Sequence, residues 1–172
     1  MLVILGGLPG TGKTTVAHAV ARELRAVHLR IDSIEGALHR AGITSISDEG
    51  YRIAYALAED NLKLGLTVIA DSVNPVAITR DAWRAVARRA NVRAVEVEIV
   101  CSDREEHRRR VESRTSDIEG FTGPTWREVI EREYEHWDPV DARIDTARRT
   151  VEDSSTELRE KILAQTVGER AR

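Results

Sequence analysis

Near the amino terminus, Gly7-Leu8-Pro9-Gly10-Thr11-Gly12-Lys13-Thr14 satisfies the pattern G-x-x-x-x-G-K-[ST] at every defined position. Its setting constrains the fold as much as the motif does. Leu2–Leu5 is an apolar run with the length of a short buried strand. From Thr14 to Leu24, apolar residues recur with helical spacing at Val16, Ala17, Val20, Ala21 and Leu24. A strand that enters a glycine turn and leaves as a helix points consecutive backbone N–H groups inward, at the positive end of the helix dipole. Such a concavity holds phosphate. Lys13 is placed to reach the β- and γ-phosphates of a nucleotide, and the Thr14 hydroxyl to ligate Mg²⁺. Gly7, Leu8, Pro9, Gly10, Thr11, Gly12, Lys13, Thr14 and Thr15 are therefore the candidate nucleotide-binding residues, with ATP and Mg²⁺ as the implied ligands.

Further along, strand-like and helix-like stretches alternate. Val27–Ile31, Leu66–Ala70, Val92–Val100 and Arg143–Thr146 read as strands. Ser33–Arg40, Asp48–Leu64, Ile78–Ala90 and Arg104–Arg114 read as helices, with a loop over Gly42–Ser47. Thr115–Pro124, with Gly120, Gly123 and Pro124, reads as a loop. The pairs Thr125/Glu128 and Ser154/Glu157 have capping-box spacing; the first predicts a helix through Trp137, the second the start of the last helix. The alternation predicts an α/β, three-layer architecture: a five-stranded parallel sheet with helices on both faces. The 172 residues fit one domain, 1–172. Ligands of such folds sit at the carboxyl ends of the strands.

Composition narrows the partners. Aromatic residues are 4% of the chain, the formal net charge is −3 and the sequence pI is about 6.0, a poor match to a nucleic-acid platform. Positive charge is carried mainly by arginine; Lys13, Lys63 and Lys161 are the only lysines, so the one in the glycine loop stands out. Cys101 is the only cysteine, which excludes an intrachain disulfide, and the histidines lack metal-ligand spacing. No apolar run approaches the roughly 20 residues of a membrane span, and the expected location is cytoplasmic.

Three further stretches carry chemistry. Arg30-Ile31-Asp32-Ser33 ends the second strand, where Asp32 can accept a proton from an acceptor hydroxyl and Ser33 can cap the next helix. Ala70-Asp71-Ser72-Val73-Asn74-Pro75, followed by Arg80 and Trp83, ends the third. Asp71 fits a Walker B aspartate holding Mg²⁺, an acceptor contact, or a turn former. In Arg108-Arg109-Arg110-Val111-Glu112-Ser113-Arg114, residues four apart share a face, so Arg110 and Arg114 can converge on one phosphate; Arg104, Arg108 and Arg109 are expected to face solvent. Tyr51, Tyr55 and Trp137 are open between pocket and core.

With these motifs the chain, from the glycine loop to the fifth strand, resembles the bacterial P-loop kinases: chloramphenicol phosphotransferase, gluconate kinase, polynucleotide kinase and zeta toxins. The resemblance implies Asp32 as general base, as in the Asp-Ser of chloramphenicol phosphotransferases. It gives Asp71 to Mg²⁺ or the acceptor, and Arg110 and Arg114 to a closing helical lid over about 104–125 that clamps the transferring phosphate. The expected function is transfer of the ATP γ-phosphate to a hydroxyl of a small molecule such as an antibiotic, sugar or nucleoside. Lys13, Asp32, Arg110 and Arg114 would be catalytic, and Thr14 and Asp71 metal-binding. A polynucleotide or nucleotide 5′-hydroxyl kinase, favoured by the Asp71–Trp83 stretch, and a nucleotide-dependent binding switch are the alternatives.

Overall fold

The first strand, β1 (Leu2–Gly6), is buried along its whole length, as expected of a strand covered on both faces. It pairs in parallel with β3 (Val68–Asp71) on one side and β4 (Ala94–Val100) on the other. The edges are β2 (Val27–Arg30), beside β3, and β5 (Ala142–Asp145), beside β4. The order β2-β3-β1-β4-β5 makes a five-stranded, fully parallel sheet, as the sequence predicts. The computed structural model describes residues 1–119 and 122–167, so Gly120 of the predicted loop and the last five residues of the expected domain lie outside the described residues.

Alternation along β1 divides the core. Val3 and Leu5 face α1 (Lys13–Leu24) and α7 (Val151–Val167), joined by Val16, Val20, Leu158 and Ile162. Leu2 and Ile4 face the other way, onto Ala54, Ala58 and Leu62 of α3 (Glu49–Lys63) and Trp83 and Val86 of α4 (Ala77–Arg89). Three layers result. The remaining helices, α2 (Ile31–Arg40), α5 (Arg104–Ser113) and α6 (Trp126–Ile130), gather beyond the carboxyl ends of the strands.

Several expected boundaries move. The Thr125/Glu128 capping box forms, but its helix ends at Ile130 instead of Trp137. The chain must turn inward there: Arg80 donates to the carbonyls of Glu135 (2.7 Å) and His136 (3.1 Å). Trp137 is buried, with its indole N–H on Glu96 (2.7 Å). Ser154 is not a cap; α7 begins a turn earlier, where Thr150 Oγ1 accepts from the Asp153 N–H (3.0 Å). Ser33 is not a cap either. Helix α2 opens directly at Ile31 without a side-chain cap, and Ser33 is exposed. Tyr55 packs edge-on against Trp83 in the core. Cys101 is buried just beyond β4.

Candidate active site

Between β1 and α1 the chain turns through Gly7 (φ 132°), Gly10 (φ 84°) and Gly12 (φ 92°), a left-handed path open to glycine. Gly7 has a second reason: a Cβ there would lie 2.1 Å from the Ile99 carbonyl oxygen of β4. The loop is pinned from outside. Gly7 N–H donates to the Val73 carbonyl (3.0 Å), and the Asn74 amide donates to the Leu5 carbonyl (2.7 Å). On the other side, His107 of α5 meets the Pro9 carbonyl (2.8 Å), and Thr146 Oγ1 donates to the Thr11 carbonyl (2.8 Å).

This loop forms one wall of a cavity of about 1450 Å³, larger than the roughly 300–1,000 Å³ of a single small-ligand site and sufficient for two substrates. Lys13 is buried, its ammonium on the Leu8 carbonyl (2.9 Å). Burial lowers its pKa to about 8, partly offset by the carboxylates of Asp71 and Asp32. Both carboxylates thus act on the lysine from the ends of neighbouring strands. Asp71 is 2% exposed, with His28 Nε2 at 3.2 Å. Burial opposes its charge, but His28, Lys13 and the Thr14 hydroxyl together hold its pKa below the ordinary carboxylate range. A charged carboxylate beside the Thr14 hydroxyl and a phosphate nest fits Mg²⁺ held by Thr14, phosphate and water. No cluster of three acidic, histidine or cysteine ligands exists among the described residues.

Asp32, in the first turn of α2, lines the cavity with its carboxylate partly open to it. Arg30 and Arg114 stand 3.8 and 3.9 Å from it. Arg114 follows the last turn of α5 and Arg110 sits one turn earlier; both line the cavity. Arg110 is fixed by Glu106 (2.5 Å), Thr146 Oγ1 (2.8 Å) and the Thr146 carbonyl (3.0 Å), close to Gly12. Arg108 instead pairs with Glu112 on the exposed side.

Sequence reasoning missed several groups here. Asp117 accepts two hydrogen bonds from Arg30 (2.9 and 2.7 Å). Ile118 beside it packs onto Gly36 of α2. Residues 117–118 after α5 are thereby fastened to β2 and α2 beside the cavity. Arg132 lines the cavity from beyond α6, and Glu35 stands one turn after Asp32 on the same helix face. The i, i+3 spacing of Asp32 and Glu35 was visible in the sequence; the long-range partners Arg30 and Asp117 left no local pattern. The Arg80 and Trp83 that followed Asp71 are interior. Arg80 also donates to the Asn74 (2.9 Å) and Pro75 (3.2 Å) carbonyls, shaping the turn that pins the glycine loop.

A parallel sheet with a phosphate nest, a buried lysine and a shielded aspartate at its carboxyl edge defines a P-loop phosphotransferase. The chain belongs to the AAA domain family, whose model matches residues 2–134. It is 32% identical over 160 residues to a Halalkalibacterium halodurans protein named "Probable adenylyl-sulfate kinase", covering 86% of this chain and 73% of that one. It is 27% identical over 168 residues to an adenylyl-sulfate kinase of Rippkaea orientalis, covering 92% and 88%. The APS kinase of Mycobacterium tuberculosis, solved in complex with AMPPNP and APS, shares the fold with a TM-score of 0.67 at 20% identity over 94% of this chain and 96% of that one. The protein is an ATP- and Mg²⁺-dependent kinase that phosphorylates a small molecule. No helix among the described residues is long and apolar enough to cross a membrane.

Proposed function

We propose that this kinase transfers the ATP γ-phosphoryl group to a hydroxyl of a small molecule bound between α2, the start of α3 and the turn after β3. The observation that carries the reading is the position of Asp32. Its carboxylate opens into the cavity that the glycine loop also lines, near enough to Lys13 to act on its charge, yet it is carried by a separate element, α2. A base in that place meets an acceptor hydroxyl approaching the γ-phosphate in line.

In the reaction the acceptor oxygen forms a bond to Pγ as the bond from Pγ to the β,γ-bridging oxygen breaks. The hydroxyl proton passes to Asp32, and ADP departs. Lys13, Arg110 and Arg114 meet the charge spread over the transferring group. Mg²⁺, when bound, neutralises the β- and γ-oxygens. Thr14 would hold the ion, with the Asp71 carboxylate beside it supplying negative charge. The segment 104–125 acts as a lid: α5 carries Arg110, Arg114 follows it directly, and the contacts of Asp117 and Ile118 to Arg30 and Gly36 hold the segment down. Opening breaks those contacts and admits the nucleotide.

The test is ADP release at fixed ATP with adenylyl sulfate, sugars, nucleosides, antibiotics and oligonucleotides as acceptors, with the phosphorylated product identified by mass. One or more hydroxyl acceptors should raise turnover well above the hydrolysis seen without acceptor. ATP consumption that responds to no hydroxyl compound, but rises with a protein partner, would replace this reading with a binding switch.

A further inference from the structure

Glu35 is a half-buried carboxylate on the cavity wall, and among the described residues it has no hydrogen-bond or ion-pair partner. Helix α3 closes on it from behind: a Cβ on Gly50 would meet its carboxylate oxygen at 2.8 Å. Burial, and then the charge of Asp32 one turn before it, raise its pKa; His39 and Arg132 oppose the shift without touching it. A partly desolvated carboxylate without a partner is costly to keep ionised. The cations nearby are committed elsewhere. Arg30 is held by Asp117, Arg110 by Glu106 and Thr146, and Arg114 leans on Asp32. Arg132 is exposed at the rim.

A second observation marks the same wall as a ligand surface. Ser72, 6% exposed on the turn after β3, lines the cavity with a hydroxyl that no protein atom satisfies. Tyr51 of α3 lines the cavity beside it, near enough for the Ser72 hydroxyl to act on its phenol. Buried hydroxyls are normally satisfied, and one left open on a cavity wall is a position for a ligand's polar atom.

We infer that the acceptor is an amino-alcohol, whose ammonium group pairs with Glu35 while a second polar group satisfies Ser72 and the reacting hydroxyl meets Asp32. This rests on the phosphotransfer reading above. An anionic acceptor would instead add charge beside two carboxylates, already near the phosphates of ATP, with no uncommitted buried cation to receive it. The cations nearest to it, Arg30 and Arg114, already face Asp117 and Asp32, and Arg132 is exposed. The relatives named for adenylyl sulfate therefore give the chemistry of transfer without giving this chain's acceptor.

The experiment compares three polyhydroxylated probes of similar size: 2-deoxystreptamine with two ammonium groups, neutral myo-inositol, and anionic glucuronate, with adenylyl sulfate as a fourth. Binding to the protein with a non-hydrolysable ATP analogue is measured by calorimetry, and phosphorylation with ATP by mass. The expected order is cation, then neutral, then anion, with at least tenfold between the first and last. Glu35→Gln should reduce that preference at least fivefold in Kd while leaving nucleotide affinity unchanged. Ser72→Ala should weaken all probes alike.

Tighter binding or faster phosphorylation of adenylyl sulfate or glucuronate would overturn the inference and keep the phosphotransfer reading. An unchanged preference in Glu35→Gln, with a lower Tm, would overturn it by making Glu35 a structural group. The expected order in binding, with no probe phosphorylated, would support the subsite and count against the hydroxyl-transfer reading.

Discussion

The two ends of the cavity are built by different means. At the nucleotide end, one continuous stretch supplies the site from its own backbone, and three left-handed glycines do what no side chain could. At the end proposed for the acceptor, the wall comes from separate elements: Asp32 and Glu35 from α2, Tyr51 from α3 and Ser72 from the turn after β3. Backbone recognition suits a partner that never changes, the triphosphate. Side chains gathered from several elements can be exchanged one at a time without disturbing the sheet. The first end therefore fixes the reaction class and the second the substrate.

The sharpest way to break the contrast is at Lys13. Lys13→Ala should abolish transfer, by about 10³-fold or more, and weaken ATP binding while the circular dichroism spectrum and Tm stay close to those of the parent. Near-normal turnover would remove the nucleotide end from the chemistry. Asp32→Asn should come next, with a loss on the order of 10²-fold or more in kcat and little change in ATP affinity. Full activity in that variant would take the base out of the acceptor wall.

The arginines sharpen the comparison because they join the two ends. Arg110→Ala and Arg114→Ala should each lower kcat by about 10- to 100-fold, more than they alter nucleotide Kd, whereas Arg108→Ala should change neither appreciably. Equal losses at all three would indicate a diffuse field. pH gives a smaller effect. In the free protein Lys13 titrates at about 8, and the triphosphate favours its charged form. Affinity for an ATP analogue should therefore fall as pH rises above 8, by at most about tenfold per unit, so a flat titration between pH 7 and 9.5 would contradict the assignment. The smallest effect is expected at Gly36→Ala, whose Cβ would meet Ile118 at 2.5 Å. It should cost a few-fold in kcat and speed hydrogen exchange over 115–119, with exchange in β1 unchanged.

The same asymmetry explains what was legible in the sequence. A nest made by local backbone leaves a local signature, so the loop, its strand and its helix could be read directly, as could the parallel sheet from the alternation of elements. Asp32, Asp71, Arg110 and Arg114 could be singled out because each ends a strand or repeats on a helix face. The Arg30–Asp117 pair spans 87 positions and has no period to betray it. The helix from Thr125 was read too long because burial of Trp137 and the hold of Arg80 on the preceding carbonyls override the local preference for helix. Ser33 and Ser154 look like caps by composition, but the turns that begin at Ile31 and Val151 leave them nothing to cap.

The stitch between Asn74 and Leu5, with Gly7 on the Val73 carbonyl, has a consequence for the product. It ties the phosphate nest to the turn carrying Ser72 at the sheet edge, separately from the hold of α5 on the Pro9 carbonyl. The distance from γ-phosphate to each acceptor position is then set by the sheet, as in a jig. Weakening the covering segment should slow the enzyme yet leave its regiochemistry intact. Loosening the stitch, as in Asn74→Ala, should leave a mixture of phosphorylated isomers where the parent makes one.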